Sequence, residues 1–503
     1  MEPLVVLMVL LISLLLSPLV EALARLKGLE IVPTAFLVAS SSTSLFLSAW
    51  LLAPELLGAS GSAWPKVLAF GPPGLATCLV VDRASAFLAL TALLLTTSAS
   101  LHALGEELAR PGFCVAFSAL SLGLVGVLFS GDLLTLYVFW EVMCLSAYAL
   151  VAMGEVVEEA LEAAWKYFIM ASAGAVLMLF GMSLLYGLAG TLNIPLLAAR
   201  LKGSSSPWLI IAFSFLLVGM GVEAAIVPLH TWLPDAHSVA PTQVSALLSG
   251  MVIEVGFYGA CRLVLTALRG LEGLWSLAFA VACLANMAIG ALSALTQVDA
   301  KRLLAFSSVA NIGYMASSLA APGQGTISAL LFVVLNHALS KGLAFLGAGS
   351  LASAAGSREL KAIASARGRK PVAFSALLLA LASLIGLPGT SGFLAKLLLV
   401  SALFSSGSWW LGLAVLVGAL LMAAAYIRAV HEMLKAGRAP RSSGEPDTGH
   451  EGKLEVASML LMSALIIALG LWPSPALRLA SLGASDLLDL ERYVRSVGGG
   501  VGA

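Results

Sequence analysis

The chain has 503 residues, of which 60% are hydrophobic and only 11% charged, and its formal net charge is zero. Mean hydropathy is +1.01. A globular chain of this length would be about a quarter charged, so an ordinary soluble protein is excluded, and the neutral balance points to no nucleic acid or strongly acidic partner.

Apolar runs of helical length follow one another almost to the C-terminus, each able to cross roughly 30 Å of hydrocarbon. No water reaches backbone groups in that layer, so continuous runs of this length are helices. About fourteen spans are predicted, near 4–23, 29–52, 84–104, 112–130, 132–153, 163–188, 207–228, 240–268, 273–296, 302–321, 325–351, 372–405, 408–434 and 455–472. The start, Met1 to Val20, lacks the basic region of a signal peptide and is followed at once by further spans, so it reads as the first membrane helix. The stretch 54–82, with Pro65, Pro72 and Pro73, is expected to be a loop with an interfacial piece. The polar run 436–453, with His450, reads as a solvated loop, and the tail after Pro473 is too short for another domain. Cys78, Cys114, Cys144, Cys261 and Cys283 stand singly in apolar segments and read as small buried hydrophobes.

Orientation follows from the basic residues. With both termini outside, about fifteen lysines and arginines, from Arg25 to Lys453, fall in cytoplasmic loops and about eight on the other side. The seventh span is interrupted around Pro228 and Pro234, the twelfth around Pro388-Gly389, roughly 160 residues later. Proline-broken helices at matching places in two halves point to a transporter's ion site, or are ordinary membrane kinks. The expected division is 1–110, a first five-helix block 111–270, a second 271–435, and 436–503.

A charge at the bilayer centre costs a few kcal/mol, so it persists where it is paired or functional. Glu141, Lys166, Glu223, Glu254, His337, Lys341 and Lys396 all lie inside apolar segments, and His337 and Lys341 share one helix face. Each alone reads equally as a packing ion pair. Spread over six helices and clustered at the two breaks, they read better as a hydrated charge path. His230, Asp235 and His237, in PLHTWLPDAH, match no zinc pattern and suit proton uptake or capping of the break. Asp299 and Lys301, beside Arg302, are either part of the path or a membrane-edge anchor with snorkelling side chains.

The motifs FWEVMCLSAYALV, PLHTWLPDAHSVAPTQVSALLSGMVIEVGFYG, QVDAKRLLAFSSVANIGYM, LNHALSKGLAFLGAGS and GLPGTSGFLAKLLL, in this order across 131–400, resemble the antiporter-like subunits of respiratory complex I, multisubunit cation/proton antiporters and energy-converting hydrogenases. SALLSGMVIEVGFYG looks most similar to the large membrane subunit of formate hydrogenlyase. The resemblance implies an all-α, fourteen-helix membrane subunit with two inverted five-helix repeats, each with a half-channel, joined by a central charged axis. It places Glu141 at the family's fifth-helix glutamate, Lys341 at the eleventh-helix lysine, His337 at the histidine before it, and Lys396 at the twelfth-helix charge. It implies other membrane subunits and a redox module as partners, lipid around the chain, H⁺ or Na⁺ as cargo, and no cofactor or resident metal.

Two positions depart from that pattern. Lysine is usual seven residues before the PLHxWLP histidine and in the motif around residue 254, and here Glu223 and Glu254 stand there. Three readings follow: Glu141 and Glu223 relay protons as a carboxylate pair, Lys166 supplies the missing cation, or the carboxylates hold sodium. The alternatives for the whole chain are an Na⁺/H⁺ antiporter component and a partly inactive scaffold.

Overall fold

In the computed structural model, which describes residues 2–56, 64–70, 77–106, 110–204, 206–435 and 451–501, helices make up almost all of the described chain. Helices α1 (Glu2–Lys27) and α2 (Ile31–Leu56) lead into a two-stranded antiparallel hairpin, β1 (Lys66–Phe70) and β2 (Thr77–Val81). Then come α3 (Arg83–Gly105), α4 (Phe113–Phe129), α5 (Leu133–Val151), α6 (Val157–Ala189), α7 (Ile194–Arg200), α8 (Pro207–Glu223) and α9 (Trp232–Val239). A single bent helix follows as α10 (Thr242–Leu247), a π-helical turn (Leu248–Val252) and α11 (Ile253–Leu265). The rest comprises α12 (Glu272–Thr296), α13 (Ala300–Ala320), α14 (Gln324–Ala355), α15 (Leu360–Ser365), α16 (Pro371–Ile385), α17 (Ser391–Ser405), α18 (Trp409–Lys435), α19 (Lys453–Leu471), α20 (Ser474–Leu488) and α21 (Leu490–Val501). Eleven helical segments among the described residues are long and apolar enough to cross a membrane, and α4, α8, α16 and α17 are shorter apolar helices beside them. The polar run with His450 lies outside the described residues, except for its last three positions.

The stretch expected to be a loop is therefore partly a hairpin. Its second strand is buried from Cys78 to Val81, because Arg262 of α11 donates to the Val80 carbonyl at 2.9 Å and to that of Leu128 at 2.9 Å. The same guanidinium donates to the Tyr493 hydroxyl at 2.9 Å and faces Asp82 at 3.3 Å. One buried arginine thus ties α4, β2, α11 and α21 together.

Local structure repeats along the chain. Asp132 caps α5 by accepting from Thr135 N at 2.8 Å, and Asp299 caps α13 by accepting from Arg302 N at 3.0 Å. At the first cap, Leu133 N donates to Leu192 O (2.9 Å) and Ile194 N to Gly131 O (3.1 Å); at the second, Ala300 N donates to Arg358 O (2.9 Å) and Leu360 N to Val298 O (2.9 Å). Each pair closes a two-helix unit, α5–α6 or α13–α14. Each unit then leads through a short helix, α7 or α15, into a helix that breaks.

Both breaks satisfy freed backbone groups with protein partners, as the membrane interior requires. Between α8 and α9 the chain turns through Ala225 at φ +51°. Asn286 of α12 accepts from Val227 N at 2.9 Å and donates to the Ala225 carbonyl at 2.9 Å. Between α16 and α17, Gly386 ends the helix at φ +95°, a conformation that only glycine adopts freely.

Candidate functional site

The first break holds Glu223. Its side chain is buried, and Oε1 accepts a short hydrogen bond from the Tyr167 hydroxyl of α6, while Oε2 has no protein partner among the described residues. Tyr167 is held in place by stacking on Trp232 at 3.8 Å, and Trp232 donates to the Val222 carbonyl at 2.9 Å. Glu141 lies half-buried on α5, with Cys144 one turn on and within electrostatic reach of both carboxylates. Glu141 Oε1 is buried without a partner.

Lys166 does not join them. Its ammonium is bound to Glu162 at 2.8 Å and Asp235 at 3.2 Å, and half of its side chain is exposed. Asp235 also accepts from Arg302 at 3.0 Å. Two carboxylates, Glu162 and Asp235, already neutralise it where it lies, so it is not bound to the Glu141–Glu223 pair as the missing cation.

Glu254 sits just beyond the π-helical turn and meets His337 of α14, Oε1 against Nδ1, with both side chains fully buried. Gly250, in the π-helical turn, allows α14 to come this close: a Cβ there would lie 3.1 Å from the Ala338 carbonyl oxygen, next to His337. At the position where the resembled pattern has lysine, this chain has a carboxylate, and its contact with His337 pairs an acid with a base. Lys341, one turn along α14, donates to Leu304 O at 2.7 Å and to Ser307 Oγ on α13. Ser308, the next residue, bonds Ser249 of the π-helical turn at 2.6 Å.

His237 is completely buried against the Phe345 ring, both nitrogens are unpartnered among the described residues, and it lies within electrostatic reach of Lys301 and Lys341. His230 is buried in the first break with Nδ1 unpartnered. Lys301 is not a snorkelling anchor. Its ammonium is buried and donates to Ala240 O at 2.9 Å, at the carbonyl end of α9, where a helix dipole favours a cation. Asp299 instead pairs with Arg358 at 3.4 Å.

Lys396 of α17 reaches back across the second break and donates to Leu384 O at 2.6 Å and Ile385 O at 2.9 Å. It too is a cation at the carbonyl end of a half-helix. Beside it, Asn336 Oδ1 accepts from Ser383 at 3.1 Å and Ser391 at 2.8 Å, linking α14 to both sides of the break. Arg262, Asn286 and Asn336 are functional or positioning residues that sequence reasoning missed. The only available signal was a single polar letter in an apolar run.

A cavity of about 590 Å³ opens at one end of the bundle, among Glu106, Glu155, Ser238, Gln243, Lys301 and Arg358. From it, Lys301, His237, Lys341, His337 and Glu254 succeed one another into the interior. Together these features define a polytopic helical membrane protein with broken helices and a buried row of exchangeable protons.

The comparisons place it more closely. Residues 130–422 match the family described as NADH:quinone oxidoreductase/Mrp antiporter, membrane part, and the chain belongs to that family. It is 32% identical over 86% of its length to NADH-quinone oxidoreductase subunit N of Desulforudis audaxviator, covering 88% of that protein. It is 32% identical over 73% of its length to F(420)H(2) dehydrogenase subunit N of Methanosarcina mazei, covering 76% of that protein. Among solved structures, a chain of the Mrp complex from Dietzia sp. superposes with a TM-score of 0.86 at 24% identity, over 99% of both chains. A chain of the archaeal membrane-bound sulfane sulfur reductase gives 0.86 at 26% identity, over 98% of this chain and 99% of that one.

Proposed function

We propose that this chain is the non-redox, proton-translocating subunit of a multisubunit membrane oxidoreductase, working beside other antiporter-like subunits and a redox module that supplies the energy. Membership of the family and the likeness to subunit N of two such enzymes support this reading. The observation that carries it is the buried Glu254–His337 pair with Lys341 one turn away. These groups can each change charge, they lie close together, and they come from two different helices, α11 and α14. Among the described residues, Glu254, His337, Glu223, Glu141, His230 and His237 each leave a buried polar atom without a protein partner. Each such atom costs about 1–3 kcal/mol if nothing reaches it. A row of them therefore suits a line of water that carries protons.

In this reading protons enter at the cavity, pass Lys301 and His237 to Lys341, and move between the halves through His337 and Glu254. Lys396 closes the row at the second break, and Glu141 with Glu223 at the first. The five-helix blocks 111–270 and 271–435 act as the two half-channels, with both chain termini outside. Protons suit the first break better than sodium: Tyr167 already occupies one Glu223 oxygen, which leaves few oxygen ligands for a hard cation.

The test replaces Lys341 with Ala in the assembled complex, reconstituted in vesicles. Proton movement per electron is expected to be lost while the complex remains intact. Unchanged pumping would end the reading. Turnover is also expected to be independent of Na⁺; a strict sodium requirement that disappears in Glu223→Gln would replace the proton with sodium.

A further inference from the structure

His102 lies in the last turn of α3, fully buried and outside the row described above. Both of its ring nitrogens are engaged. Nδ1 lies 3.0 Å from the Gln243 amide nitrogen, which also donates to Glu106 Oε2 at 2.6 Å. Nε2 lies 3.0 Å from Ser350 Oγ of α14. A donor facing Nδ1 makes that nitrogen an acceptor, so the neutral ring carries its proton on Nε2 and gives it to Ser350. The Ser350 hydroxyl in turn meets Glu455 of α19. Glu455 accepts from Lys370 at 2.9 Å and 2.8 Å, just before the first turn of α16. At the other end, Glu106 and Gln243 line the 590 Å³ cavity.

His102, Glu106 and Glu455 lie close enough to suggest a metal site, since their ligand atoms are within 4.8 Å of one another. The hydrogen bonds argue against it. Both histidine nitrogens are taken, and both Glu455 oxygens already accept from an ammonium. What the arrangement does offer is an unbroken line of proton-carrying groups from α3 to α16.

We infer that His102 is a proton-transfer residue that connects the cavity to the Glu455–Lys370 pair, so that both halves of the subunit draw on one proton pool. The inference rests on the proton-translocating reading above. The step is balanced. A proton arriving from the cavity on Glu106 passes to His102 Nδ1, 3.8 Å away, once the Gln243 amide moves aside. The Nε2–H bond breaks, its proton joins Ser350 Oγ, and the serine's own proton passes to Glu455. Glu106 is again a carboxylate and Glu455 a neutral acid. Lys370 then loses its counter-charge at the head of the helix that leads to the second break.

The experiment uses the whole complex in vesicles with His102→Gln and, separately, Ser350→Ala, which removes one oxygen. Proton flux in each is expected to fall by more than about tenfold, a conservative share of what a positioned proton donor contributes. Flux within about tenfold of the unmodified complex in either assembled variant overturns the inference. A purely structural His102 is separated by His102→Ala with added imidazole, which the cavity can admit. Recovered flux supports proton transfer, and flux that stays lost at saturating imidazole overturns it. Lys341→Ala is the control. If it abolishes pumping while His102→Gln does not, only the His102 route fails; if it too is silent, the function on which the route rests fails with it.

Discussion

Glu254 and His337 were both visible in the sequence as ionisable letters in apolar runs, but nothing in the sequence paired them. They are 83 residues apart, and their meeting depends on the π-helical turn and on its Gly250 against Ala338, whose effects are tertiary. The pair also explains why glutamate is tolerated where the family pattern has lysine: against a histidine it makes an acid–base contact. Glu254→Lys should therefore set an ammonium against His337 and near Lys341. Losing one partner of a buried pair costs about 3–5 kcal/mol, so the purified complex should melt earlier or fail to retain the subunit. The double change Glu254→Lys with His337→Glu gives the new ammonium a carboxylate partner and should recover most of that loss. A single variant as heat-stable as the unmodified complex would show that the contact contributes little. Lys166 makes the converse point, because its place on the sixth predicted span said nothing of the two carboxylates that hold it at the surface.

The two broken helices were legible from proline and glycine, and the structure refines where each break falls. The first occupies 224–231, with Pro234 already inside α9, and the second occupies 386–390 around Pro388. What holds the breaks was not legible, because a lone Asn286 in LANMAIG reads like any other polar residue in a membrane helix. Its amide accepts from one side of the turn and donates to the other, so a single side chain replaces two lost helical bonds. Asn286→Ala should leave a buried amide and a buried carbonyl unpaired, at about 1–3 kcal/mol for each group. The expected result is a lower melting temperature of the detergent-solubilised complex and faster hydrogen exchange confined to 224–231. Unchanged exchange there would assign the support of the break to its other contacts. At the second break Lys396 satisfies two carbonyls, and in the proposed path it also carries a mobile proton. Lys396→Met should therefore lose pumping and stability together, whereas Lys341→Ala is expected to affect mainly pumping.

At the scale of the whole molecule, the all-helical membrane class followed from hydropathy alone, since no other structure satisfies such long apolar runs. The β1–β2 hairpin and the docking of α20 and α21 did not follow, because both depend on the partners of Arg262 and on Arg83 bound to Asp486 at 3.0 Å. The matched hydrogen bonds at Asp132 and Asp299 add a constraint that hydropathy lacks. If the helices between them cross as predicted, an odd number of spans separates the two caps, so they lie on opposite faces and the halves are inverted. The polar cavity with Lys301 and Arg358 then belongs to the cytoplasmic face, where the basic residues gather. Cysteine labelling tests this directly, because the five native cysteines are all buried. Lys202 and Arg369 are both exposed and lie in loops assigned to opposite sides. In intact cells a membrane-impermeant maleimide should label Lys202→Cys, and should label Arg369→Cys only after the membrane is opened. Labelling of both in intact cells, or the reverse pattern, would refute the orientation and with it the cytoplasmic origin of the protons. Opposite labelling as expected would place the cavity on the cytoplasmic face, the side on which the proposed path takes up its protons.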